Sequence, residues 1–153
     1  MKHIGVLFVL IVGVACVSNQ KEQQDEAVIL KAQGLVRGDD VGLSFDNGEK
    51  WVIDSATMEK LYIMRNKVNE MGHNLDNLQL GQFNRFGVDL KAYETAIPTT
   101  VGDHRHPQVE ILLAACDTQI ELLRGNDLQQ AQTAIVSLSY ILDEVNNYFI
   151  LQQ

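Results

Sequence analysis

The feature that most constrains this chain is a set of four apolar stripes with helical spacing. The last is the longest: Leu128, Ala131, Ile135, Leu138, Leu142, Val145 and Phe149 recur at intervals of three and four. That rhythm places all seven on one face of an α-helix and forbids a half-buried strand, whose period is two. Three earlier segments repeat it. Leu61, Met64, Val68, Met71 and Leu75 form the first stripe, Phe83, Phe86, Leu90, Tyr93 and Ile97 the second, and Val109, Leu113, Cys116, Ile120 and Leu123 the third. Punctuation falls where helices should start and stop. Asp54 or Ser55 can cap the first, and Gly72 loosens its end. Pro98 stops the second, because the residue before a proline avoids the α region. Arg124-Gly125 closes the third, and Asp127 with Gln130 makes a capping box for the fourth.

A single amphipathic helix is marginal in water, so the four stripes must bury one another. With short joins this predicts an all-α fold, an antiparallel up-down-up-down four-helix bundle over residues 54–152. A short β-hairpin segment, 27–53, should precede it. Asp46-Asn47-Gly48-Glu49 stands between the apolar runs Gly42–Phe45 and Lys50–Ile53, and Asn-Gly is the strongest local hairpin signal. Trp51 is expected to pack that ribbon onto the helices.

The N-terminus reads as an address. A short basic start, Met1-Lys2-His3, leads into an apolar run from Ile4 to Ala15, too short for a comfortable membrane span. Residues 1–15 are therefore expected to be a signal peptide. The run ends in Gly13-Val14-Ala15-Cys16, which resembles the lipobox of bacterial lipoproteins, with Gly13 where leucine is usual. That resemblance implies lipidation at Cys16, a polar tether over 16–26, and residence on the periplasmic face of a bacterial membrane after secretion across the inner membrane. A soluble periplasmic product is the alternative. The formal net charge of −8 argues against a nucleic-acid partner, which would need clustered Lys and Arg. A periplasmic protein is the expected partner beside the lipid anchor.

Candidate chemistry is sparse. No nucleophile-and-base motif, Gly-rich phosphate loop or paired Cys-x-x-Cys is present, so catalytic residues are expected to be none and the chain is read as non-enzymatic. Cys116 lies in phase with its stripe and reads as a small buried hydrophobe. His104 and His106 flank Arg105 just before Pro107. Proline suits the first helical position, so His106 is the expected N-cap of the third helix and His104 a loop residue. Their spacing matches no strong zinc pattern.

Two family resemblances follow from particular residues. Arg124-Gly125-Asn126-Asp127-Leu128-Gln129-Gln130-Ala131, Met58-Glu59-Lys60-Leu61 and Arg105-His106 resemble the soluble periplasmic b-type cytochromes with a four-helix bundle. That resemblance implies haem b, with Met58 as one axial ligand. Asn146 stands where the family carries its histidine, and asparagine is a poor ligand for haem iron. Asn47-Gly48-Glu49-Lys50-Trp51 before a helical region is similar to a group of uncharacterised secreted bacterial proteins. Those often open the third helix with His-x-x-x-His; here His106 matches the first position and Glu110 replaces the second. In an up-down bundle Met58, His104, His106, Tyr93, Ile97, Asn146 and Tyr148 would share one end. Met58, His104 and His106 are thus the expected haem- or metal-binding candidates. The expected function is a membrane-anchored binding or interaction protein without a cofactor, with a haem- or metal-binding electron carrier as the alternative.

Overall fold

The computed structural model describes residues 34–101 and 104–152. The signal peptide, Cys16, the tether and the first part of the 27–53 segment lie outside the described residues.

Four long helices make up most of the described chain. Helix α1 spans Ser55–Gly72, α2 Leu80–Thr95, α3 Pro107–Leu123 and α4 Leu128–Asp143. Their starts obey the expected chemistry. The Asp54 carboxylate accepts the Thr57 N–H at 2.8 Å and the Thr57 hydroxyl at 3.0 Å. The Thr57 amide is the main reason the Asp54 pKa is held below its usual value. Asp127 accepts the Gln130 N–H at 3.0 Å, giving half of the expected capping box. Helix α2 is capped by Gln79 and Gln82 instead of a short polar side chain.

The stripes meet in one core. Leu61, Met64 and Val68 of α1, Phe83 and Leu90 of α2, Val109, Leu113, Cys116, Ile120 and Leu123 of α3, and Ala131, Ile135, Leu138 and Leu142 of α4 are all buried. Helix α4 packs on α1 and α3, and α3 packs on α2. At Gly87 the α2 and α3 backbones come close enough that a β-carbon would sit 2.9 Å from the Arg124 side chain and 3.0 Å from that of Leu123. The stripe edges are wetter than their phase suggests. Tyr93 is exposed, with the Lys67 ammonium of α1 4.6 Å from its ring centre.

Two expectations need correction at the ends. The fourth stripe does not run as one helix to Phe149. Helix α4 stops at Asp143, a short helical turn α5 covers Val145–Tyr148, and the chain becomes extended over Phe149–Leu151. Leu128 at the other end is exposed. The Asn-Gly turn forms as expected, with Asn47 at φ 50° and Gly48 at φ 93°, and Asp46 and Glu49 exchange two 2.9 Å backbone hydrogen bonds. The ribbon around it goes no further than that Asp46–Glu49 bridge. Strand β1 (Trp51–Ile53) pairs instead, in parallel, with the strand Phe149–Leu151. The register is Trp51 to Phe149, Val52 to Ile150 and Ile53 to Leu151. This pairing buries Ile53 and Phe149 on the helices, which a free two-stranded ribbon could not do. Between α2 and α3, β2 (Thr100–Val101) and β3 (His104–Arg105) form a small antiparallel pair, and Phe149–Leu151 is β4 in chain order.

Candidate functional site

One end of the molecule collects most of the residues singled out above. The start of α1 meets the end of α2 where the Thr57 hydroxyl, its proton shared with Asp54, lies 3.4 Å from the Pro98 carbonyl oxygen. The start of α3 joins them through the His106 N–H, which donates to the Thr99 carbonyl at 2.7 Å. The turn of α5 arrives at the same place. Asn146 accepts from the Lys50 ammonium with its backbone carbonyl and from the Tyr62 hydroxyl with its side-chain oxygen, both at 2.6 Å.

His106 lies at the centre of this end and is the N-cap of α3, with Pro107 in the first helical position. Its Nδ1 accepts the Val109 N–H at 3.4 Å. The residue is 6% exposed, and its buried Nε2 has no hydrogen-bond partner among the described residues. The ring stands edge-on to Trp51 at 5.3 Å between centres and tilted to Phe149 at 5.8 Å. These two aromatics are the paired first residues of β1 and β4, so the imidazole fills the angle between ribbon and helix. Burial pushes its pKa below the usual 6.5, against a smaller opposing pull from its own backbone and that of Val52. Neighbouring bonds fasten the ribbon to α3 as well. The Ser44 N–H donates to Gln108 at 2.9 Å, and the Trp51 indole N–H donates to the Ser44 carbonyl at 2.6 Å.

Met58, the expected haem ligand, is buried in the main core at the start of α1. His104 is in β3, opposite Val101. Asn146 is on α5, committed to Lys50 and Tyr62. The structure thus brings α1, α3 and α5 to one end while engaging the Asn146 side chain and the His106 Nδ1 within the fold. Among the described residues no group of three or more His, Cys, Asp or Glu is placed to hold a metal ion. Cys116 is fully buried, and burial pushes its thiol far above the usual range, away from the reactive thiolate.

Sequence reasoning paired Lys50–Ile53 with Gly42–Phe45 across the Asn-Gly turn and so missed the meeting of Trp51, Phe149 and His106. The available signal was the run Tyr148-Phe149-Ile150-Leu151, aromatic and β-branched enough for a strand. It also missed the outer face of the ribbon. Val52 and Ile150 are cross-strand partners, 49% and 45% exposed. Phe45, 48% exposed, stacks on Tyr148 at 4.8 Å between ring centres. An open groove of about 390 Å³ between α1 and α4 is a lesser feature. Its Asn69 and Ser139 side chains already hydrogen-bond each other at 2.8 Å.

Comparison with family models, with curated proteins and with solved structures finds no match to this chain.

Proposed function

We propose that this chain is a non-enzymatic interaction protein, held by a lipid on Cys16 to the periplasmic face of a bacterial membrane, and that its partner is another protein. The helices form an up-down-up-down bundle in this reading. Support comes from the pairing of neighbours in sequence and from the shared end occupied by the starts of α1 and α3 and the end of α2.

The observation that carries the proposal is the outer face of the β1–β4 ribbon. The cross-strand partners Val52 and Ile150 leave two large apolar side chains half in water on that ribbon, and Phe45, half exposed, stacks on Tyr148, the residue before β4. Scattered exposed apolar residues are normal, but two exposed apolar side chains paired across strands form a patch rather than isolated positions. Asp46 and Glu49 border it, and no lysine or arginine pairs with either among the described residues. Lys50, the nearby cation, spends its ammonium on the Asn146 carbonyl. An apolar centre with an acidic edge fits a partner surface of opposite edge charge: apolar, ringed by Lys and Arg.

The test is site-directed photo-cross-linking from position 150 in the full-length protein in its own membrane. A single adduct is expected, abolished by Val52→Asp and weakened by raised salt or by Asp46→Lys with Glu49→Lys. Circular dichroism checks that each variant stays folded. An adduct indifferent to Val52→Asp and to salt, or an adduct formed only with a second copy of the chain, overturns the proposal.

A further inference from the structure

His106 does two jobs with one ring, and they depend on the same proton. Its Nδ1 is the acceptor that caps α3, which fixes the neutral tautomer with its hydrogen on Nε2. The body of the ring packs against both Trp51 and Phe149, the first residues of the two strands. A second proton from water can go only to Nδ1. The cap then loses its lone pair, and two N–H donors, those of Nδ1 and Val109, face each other. The charge also arrives at a helix N-terminus, where the partial positive end of the dipole opposes it.

Only the backbone of His106 and that of Val52 are seen to favour the charged ring, and by less than burial opposes it. Strand β4 contributes Phe149, Ile150 and Leu151, and β1 contributes Trp51, Val52 and Ile53; none is titratable. The flanks of β1 carry Lys50, engaged with Asn146, and Asp54, engaged with Thr57. Along α3 the next titratable group is Glu110, and β3 brings His104 and Arg105 ahead of the cap. The depressed pKa of the buried imidazole agrees with this arrangement.

We infer that His106 is a proton-operated latch: its neutral ring locks the β1–β4 ribbon onto the start of α3, and protonation releases the ribbon while the helices stay packed. The core of α1 to α4 is built from other residues and does not need the ring. The latch stands whether or not the outer face of the ribbon is an interface; if it is, mild acid would dismantle it.

The chain supplies its own reporter, since Trp51 is its single tryptophan. The experiment follows Trp51 emission and backbone amide exchange from pH 8 to pH 4.5 in the full chain, alongside His106→Asn and His104→Asn. Asparagine caps helices well and does not titrate, so His106→Asn keeps the fold while removing the switch. His106→Ser serves if asparagine fails to fold. Trp51 emission should titrate once in the wild type, with a midpoint below 6.5, the usual value for histidine. The transition should vanish in His106→Asn and persist in His104→Asn. Exchange at Gln152, whose N–H donates to the Ile53 carbonyl, should accelerate about fivefold across the transition, after correction for intrinsic rates, which is the loss expected from one cap. Amides in the middle of α4 should not change. A transition that survives in His106→Asn overturns the latch. So does an emission change with unaltered exchange at Gln152, because the proton would then bind without releasing anything.

Discussion

Leu138 is the sharpest test of the helix phase. It is fully buried at the middle of α4, between Ile135 and Leu142, where α4 packs against both α1 and α3. Leu138→Ala deletes three carbons. At about 0.8 kcal/mol per buried methylene the transfer loss is roughly 2.4 kcal/mol. The cavity adds to this, because neighbours anchored on two other helices close it only in part. A total of about 3–4 kcal/mol falls within the usual range for a buried Leu→Ala change. For a folded region of this size that lowers the thermal midpoint by roughly 10 °C. The assay is urea unfolding of the full chain followed by circular dichroism, with Gln129→Ala on the exposed face of α4 as the control. Gln132→Ala is a less neutral control than sequence suggests, since its amide donates to the Leu75 carbonyl at 3.2 Å. If Leu138→Ala cost less than about 1 kcal/mol, or no more than Gln129→Ala, the phase assigned to α4 would be wrong.

Stability should respond to pH through three groups of known sign. His106 has a depressed pKa in the fold, so its contribution is complete above 6.5 and is lost as pH falls below it. Asp54 is also depressed, and its contribution disappears below its unfolded value of 3.8. Lys91, raised by Asp117 and Glu94, contributes below 10.5 and loses that contribution as pH climbs through its higher folded value. Urea midpoints from pH 2 to 12 check all three, and His106→Asn should flatten the middle step alone. Haemin added to the folded chain and then reduced should give only weak, broad bands, unchanged in Met58→Ala and His106→Ala. Sharp bands at one haem per chain, lost in both variants, would favour the electron-carrier reading. Membrane-fraction protein should have the intact mass of a chain starting at a diacylglycerol-modified Cys16, and Cys16→Ser should release it. A soluble product unaffected by that change would remove the anchor.

What was legible in the sequence was local. The 3.6-residue period survives in the fold because each helix hides one face, so the third stripe reads correctly from Val109 to Leu123. Caps at Asp54, His106 and Asp127 were legible because each is decided within a few residues. The Asn-Gly turn was legible for the same reason: both residues take positive φ. The β1–β4 pairing was not. Phe149 happens to continue the helical phase of α4, so its aromatic, β-branched surroundings were overruled by spacing. Its partner Trp51 is far away in sequence, on the other side of all four helices in chain order, and no local pattern encodes a parallel register that distant. The candidate site inherited that gap, because Trp51 and Phe149 reach His106 only once the strands have paired.

In the proposed up-down arrangement, four helices return the chain to the end where it began. The start of α1 and the end of α4 are then neighbours, and the short extended segments outside them, β1 and β4, are free to pair. In this arrangement the ribbon closes the same end that exposes the cap of α3, and the residue there must satisfy a helix donor while filling a gap between two aromatic rings. Asparagine or serine would cap but leave the gap open; leucine would fill the gap but abandon the Val109 N–H. Histidine does both, at the cost of one buried nitrogen without a partner among the described residues and of sensitivity to protons. The two histidines before Pro107 therefore separate in role. His104 belongs to a two-residue strand, and His106 joins the ends of the fold.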